Sequence, residues 1–246
     1  MERAFALLRA VALHGTSVPL AVIAAETGLP KSTVSRLLTT MAAIGAIDRV
    51  GDGLYSIGPE LHTIVQPAVG LADLTAIARP FLRELVDEIG EDAGLAIPDG
   101  FMVLYFDRVQ SSNPVQVKDW TGKRFAAHTT AAGYVFLGAL ETALLDRFLE
   151  GELERPTSST VVDPKRLRRL VREAAQAGHA WTYATWAEGI NGAAAPIRDS
   201  TGQVVAAINL YGPSYRFPGA DDKPAITRRL VEAAGHVSRH LRGGNV

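Results

Sequence analysis

Apolar residues recur at helical intervals through the opening segment of the chain. Ala4, Leu7, Leu8 and Val11 share one face of a first helix over residues 2–14. Leu20, Ile23 and Ala24 line a second, and Val34, Leu37, Leu38, Met41 and Ile44 give a third a single buried stripe. Gly28 ends the second helix, because it reaches the left-handed conformation at little cost, and Pro30 stands at a helix start, where a missing N–H is tolerated. Small Ala24 lets the third helix approach closely. The spacing therefore predicts two short helices crossing at a tight turn. Ser32, Ser35, Arg36 and Thr39 point away from the apolar stripe, with Lys31 and Thr40 on the flanks. Together with Thr33 they form a short, polar, weakly basic face suited to a DNA major groove. The plain alternative is an ordinary helical hairpin with a polar outer side. Ala46–Val50 and Leu54–Ile57 read as two strands around Gly51-Asp52-Gly53, a wing whose one cation is Arg49.

Residues 59–90 read as mostly helical, divided by Pro67 and Pro80. The predicted organisation is a winged helix-turn-helix over residues 1–66, a helical connection over 67–74, and a second domain over 75–246. Within that domain, Ala93–Pro98 and Met102–Val109 flank the turn Asp99-Gly100, and Val115–Trp120 is a candidate third strand. Helices follow at Ala131–Gly138, Thr142–Leu149 and Lys165–Ala177, the last opened by Asp163-Pro164 and stopped by Gly178. Strands Ala193–Arg198 and Val204–Tyr211 turn around Ser200–Gly202, and an amphipathic helix runs from Asp222 to Leu241. Hairpins with helices inserted between them imply an α+β domain with a mostly antiparallel sheet.

Composition narrows this picture. A chain of 246 residues, 47% hydrophobic, has material for a substantial core in one large or two small domains. It contains no apolar run long enough to span a bilayer and no signal segment, so a cytoplasmic protein without membrane contact is expected. With zero cysteines there are no disulfides, no thiolate catalysis and no cysteine-held metal. The formal net charge is −1. Residues 1–58 hold five cations (Arg3, Arg9, Lys31, Arg36, Arg49) against four anions (Glu2, Glu26, Asp48, Asp52), a balance of +1. Phosphate attraction then comes from few positions per subunit, and dimerisation would double them.

The chain resembles the IclR family of bacterial transcriptional regulators over essentially its whole length. The resemblance lies in Thr27-Gly28-Leu29-Pro30-Lys31-Ser32-Thr33-Val34-Ser35-Arg36-Leu37-Leu38, in Tyr105–Val109, in Gly122–Phe125 with His128–Gly133, and in Gly189–Asp199 through Gly212-Pro213. It implies a dimer or tetramer that binds double-stranded operator DNA and answers to a small-molecule effector, as a metabolite-responsive regulator and in particular a repressor. The fold class expected is α+β: an N-terminal winged helix-turn-helix and a C-terminal effector-binding domain with a mostly antiparallel, GAF-like sheet.

Residue chemistry points to the effector domain separately. In Val204–Tyr211 the even positions are wholly apolar, whereas the odd positions end in Asn209 and Tyr211. That odd face lines a pocket or, on the plain reading, meets solvent. Ahead of it, Thr129 or Thr130 caps a helix whose first residues, Ala131 and Ala132, leave their N–H groups open to an anion. The resemblance implies that this segment contacts the carboxylate of acidic effectors; close helix packing is the alternative. Trp181, Thr182 and Ile190 are expected as further walls. Relatives often carry acidic residues between Gly178 and Gly189, where this chain has Trp181–Trp186. That change favours an aromatic or hydroxylated organic effector over a two-carbon acid, unless Trp181 and Trp186 pack in the core or at a subunit interface.

Catalytic readings find little support. His236 and His240 stand at i, i+4 without a third ligand, Asp221-Asp222 and Glu91-Asp92 are sequence neighbours that cannot face one another, and His128 has no orienting acid. No nucleophile elbow, phosphate loop or dinucleotide fingerprint is present. No catalytic residue, metal or cofactor is expected. A small-molecule-binding enzyme whose first domain is a protein-interaction module is the alternative.

Overall fold

The computed structural model describes residues 2–13, 17–51, 53–60, 71–115, 117–220 and 222–243. Two compact units emerge, residues 1–68 and 69–246.

The first unit contains α1 (Glu2–Leu13), β1 (Val18–Pro19), α2 (Leu20–Thr27), α3 (Lys31–Ala43), β2 (Ile47–Val50) and β3 (Leu54–Ile57). Leu7, Val11, Ile23, Val34, Leu38 and Ile47 form its core. Gly28 ends α2 at φ 65°, the left-handed cap its position requires. The strands form a three-stranded antiparallel sheet in the order β1-β3-β2. Two residues carry too little pattern to announce β1. Ile44 departs from the expected stripe: α3 ends at Ala43, and Ile44 is 65% exposed.

The second unit contains α4 (Leu71–Ile89), β4 (Asp92–Asp99), β5 (Met102–Val109), β6 (Arg124–Ala126), α5 (Ala131–Gly138), α6 (Thr142–Leu149), α7 (Pro164–Ala177), β7 (Ala180–Tyr183), β8 (Ile190–Arg198), β9 (Val204–Pro213) and α8 (Lys223–Leu241). Its six strands form an antiparallel sheet in the order β6-β5-β4-β9-β8-β7. Apolar residues of α4 and α8, among them Leu74, Leu82, Leu230 and Val237, pack on one sheet face with Ile208 and Leu210. On the other face α5, α6 and α7 pack with Ala96, Ala194 and Ala207.

Pro80 lies inside α4 and does not divide it. The proline is exposed, so water can serve the carbonyl it leaves unpaired, while buried Leu74, Ala78, Leu82 and Leu85 continue the stripe on the opposite side. Pro67 and most of the expected connection over 67–74 lie outside the described residues. Residues 117–120 are not a strand. The place beside β5 is taken by β6, which pairs Met102 with Ala126 and Leu104 with Arg124. The chain before β6 instead closes on Tyr105, whose carbonyl accepts from the Gly122 N–H at 2.7 Å.

Candidate DNA-binding and effector sites

On α3, Lys31, Ser32, Ser35, Arg36, Thr39 and Thr40 are exposed and Thr33 is half-buried, while Val34, Leu38 and Met41 are buried behind them. Binary patterning alone produces this separation. Thr39 and Thr40 donate their hydroxyls to the carbonyls of Ser35 and Arg36, at 2.9 and 3.1 Å, and so face a partner as acceptors. Arg49 is exposed on β2, opposite Tyr55 of β3. Among the described residues no ion pair engages Lys31, Arg36 or Arg49.

In the second unit a cavity of about 30 Å³ lies between the start of α5 and the sheet, lined by Ala131, Thr182, Ile190, Asn209 and Tyr211 together with Tyr105, Trp120, Thr130 and Trp186. Strand register explains the grouping. Gly94, Ala194 and Asn209 are paired neighbours on β4, β8 and β9, as are Thr182, Gly192 and Tyr211 on β7, β8 and β9. Asn209 is 2% exposed, and both polar atoms of its amide are buried without a partner; so is Nε1 of Trp186. Such groups are rare in folded proteins and cost free energy until a ligand or water satisfies them.

Two expected wall residues stand elsewhere. Trp181 pairs with Ala193, so it projects to the opposite sheet face, where its Nε1 donates to Thr227 Oγ1 of α8 at 3.0 Å and its ring lies 5.4 Å from Phe217. One step along a strand reverses the side chain. Ala132 is fully buried and does not line the cavity. Close packing surrounds it: a Cβ on Gly133 would stand 1.9 Å from the Ala127 carbonyl oxygen. Thr130 caps α5 by accepting from the Gly133 N–H at 3.0 Å. The N–H groups of Ala131 and Ala132 have no described acceptor, as the first turn of a helix requires.

An aromatic group encloses the rest. Trp120 lies 5.0 Å from Tyr211, tilted by 30°, and 6.1 Å from Trp186 at 28°, and Phe125 lies 4.7 Å from Trp186 and 5.4 Å from Tyr105. The alternation of β5 placed Tyr105 with buried Val103, a signal available in the sequence. Trp186 belongs to the aromatic Trp181–Trp186 segment that the sequence marks, whereas Trp120 stands on irregular chain and has no such signal. Burial pushes the Tyr105 hydroxyl up to about 12, a hydrogen bond with Thr130 opposing part of the rise. Burial likewise raises Tyr211, with Arg108 opposing. The Arg108 guanidinium is held beneath by Asp92 at 2.5 Å and the Val117 carbonyl at 3.2 Å. Thr185 ties the Trp186 segment to the cavity floor by donating to the Thr129 carbonyl at 2.7 Å.

A wider cleft of about 470 Å³ runs beyond Thr182 and Thr185, past Arg155, Arg166 and Tyr183. Those three side chains are exposed, and no buried unpartnered polar atom lines it among the described residues. His236 and His240 contact Phe81 at 5.3 and 5.7 Å, and no cluster of three metal-ligating side chains occurs among the described residues. No described helix is long and apolar enough to cross a membrane.

Residues 1–51 match the family model described as the IclR helix-turn-helix domain, and residues 66–239 match that of the bacterial transcriptional regulator IclR C-terminal. The chain is 30% identical over 243 residues to the transcriptional repressor IclR of Escherichia coli, covering 97% of this chain and 88% of that one. It is 27% identical over 230 residues to the regulator KipR of Bacillus subtilis, covering 93% and 92%. Among solved structures it is similar to an IclR homologue of Microbacterium hydrocarbonoxydans in complex with 4-hydroxybenzoate, at TM-score 0.65 and 25% identity over 98% of each chain.

Proposed function

Because the chain belongs to the IclR family of bacterial transcriptional regulators, we propose that α3 and the wing bind operator DNA under the control of an aromatic, acidic effector held at the Asn209 cavity. It is a DNA-binding transcriptional regulator with an effector domain, and its relatives are regulators and repressors rather than enzymes.

In this reading Arg36 carries the base or phosphate contact, Lys31 and Arg49 hold the backbone, and Ser32, Thr33, Ser35, Thr39 and Thr40 complete the interface. The effector sets its carboxylate against the start of α5 at Ala131 and its other polar atoms against Asn209 and Tyr211, with Thr182 and Ile190 as walls. The buried, unpartnered Asn209 amide is the observation that carries this assignment. The 4-hydroxybenzoate bound by the Microbacterium relative supports the ligand class. The near-neutral first unit favours a dimer or a dimer of dimers, and operator binding places the protein's work in the cytoplasm.

The test is the mobility of a labelled promoter fragment with rising protein, repeated with 4-hydroxybenzoate and other aromatic acids. Retardation that an aromatic acid reverses is expected. Retardation insensitive to every acid tried would overturn the effector assignment. Light scattering giving about 26 kDa at operator-saturating concentration would overturn the oligomer.

A further inference from the structure

Building on the effector cavity proposed above, we infer that the indole of Trp120 fills the slot an aromatic effector needs, and that binding exchanges this ring for the ligand's own. The cavity measures about 30 Å³. An apolar cavity that accepts benzene measures about 150 Å³, so a ring enters only if a wall gives way. The walls are unequal. Ala131 belongs to a helix whose first turn Thr130 caps, and Asn209 and Tyr211 lie on a strand paired on both sides by β4 and β8. The Trp186 segment is fixed by the Thr185 bond to Thr129 and by the Thr160 hydroxyl, which donates to the Thr185 carbonyl at 2.7 Å.

Trp120 is tied through its backbone, where its carbonyl accepts from the Lys123 N–H at 2.9 Å, but it differs in how its side chain is held. It stands on irregular chain, its side chain is half-buried, and ring contacts with Tyr211, Trp186, Phe125 and Tyr105 hold it. An aromatic ligand taking its place restores the ring contacts with Tyr211 and Trp186, so expulsion of the indole is compensated ring for ring. Polar groups at the ligand's edge then meet the Asn209 amide and the Trp186 Nε1, which have no partner while Trp120 is in place. The class selected is a planar aromatic acid bearing a further hydrogen-bonding substituent. A two-carbon acid brings no ring to replace the indole and is selected against.

Calorimetric titration of the full chain and of W120A with benzoate, 4-hydroxybenzoate and indole-3-carboxylate tests this exchange. A closed site weakens apparent affinity by the fraction of molecules that are open, a penalty W120A removes. We expect W120A to bind the preferred acid about tenfold more tightly than the unaltered chain, a factor comparable to one aromatic pair. Equal or weaker binding by W120A overturns the exchange, since Trp120 is then a bystander or a ligand contact. Failure of both proteins to bind any of the three acids instead overturns the underlying cavity assignment. Should W120A not fold, W120L is titrated in its place. Fluorine NMR of the 5-fluorotryptophan-labelled chain gives a second readout, with the Trp120 resonance identified by its loss in W120F. It should move to a solvent-exposed position when the acid saturates the site, and an unmoved resonance overturns the proposal.

Discussion

Gly94 and Asn209 stand directly opposite one another across β4 and β9, and the buried Asn209 amide occupies space that only a residue without a side chain leaves open. A Cβ on Gly94 would lie 3.0 Å from Asn209 Oδ1 and 2.7 Å from the Asp107 carbonyl oxygen. The second distance is to backbone, which cannot turn aside. The cavity's polar group is thus set by a glycine on the neighbouring strand.

Gly94→Ala should therefore destabilise the chain by ~1–3 kcal/mol, the usual range for overpacking a filled interior. It should also weaken effector binding, because the amide is pushed from its position. Urea denaturation of the purified variant, followed by titration with the effector, reads both effects. Stability equal to that of the unaltered chain would show that the β4–β5 pair yields locally at Asp107.

Asn209→Leu should separate stability from function. The leucine has similar bulk and removes two buried groups that lack partners, so the ligand-free variant should gain ~1–3 kcal/mol. Effector response should disappear while operator retardation persists, because α3 and the wing belong to the other compact unit. Thermal denaturation with and without 4-hydroxybenzoate distinguishes the outcomes. A variant that melts lower than the parent would mean that the amide is already satisfied.

The parts of this arrangement that were legible in the sequence are those fixed by local rules. Asp163, Pro164 and Gly178 marked the ends of α7 through a cap, a first-turn proline and a left-handed stop. The alternation in β9 separated Ile208 and Leu210 from Asn209 and Tyr211. What escaped depends on partners distant in sequence. Trp181 was expected at the cavity because its aromatic segment looked uniform, yet pairing with Ala193 sends it to the other face. Trp120 is placed by its ring contacts rather than by any periodicity. Pro80 looked like a break because its cost is local, whereas the burial that carries α4 past it is tertiary.

Alkaline pH should expose the buried phenols. Burial pushes Tyr105 and Tyr134 up to about 12, against an ordinary value of about 10. The folded chain thus holds these protons more tightly than the unfolded one. Their contribution is fully present below about pH 10 and is lost as pH rises through the folded values. Urea midpoints measured from pH 9 to 11.5 should fall, and Tyr105→Phe with Tyr134→Phe should flatten the decline. An unchanged slope in the double variant would assign the alkaline loss to other groups.

The cations of the first unit should divide by role. Arg36 projects from α3 opposite the buried stripe, on the face that would enter the groove. Arg36→Ala should cost ~1–3 kcal/mol of operator affinity and relax discrimination at one base position, if its guanidinium reads a base edge. Lys31 and Arg49 would meet phosphates instead, at the start of α3 and on the wing strand β2. Replacing either with glutamine should weaken binding to all sequences alike and reduce the slope of log affinity against log salt by about one. The measurement is a salt series on the operator and on a scrambled duplex of equal length. Equal loss on both duplexes for Arg36→Ala, with a reduced salt slope, would move Arg36 from base reading to backbone attraction.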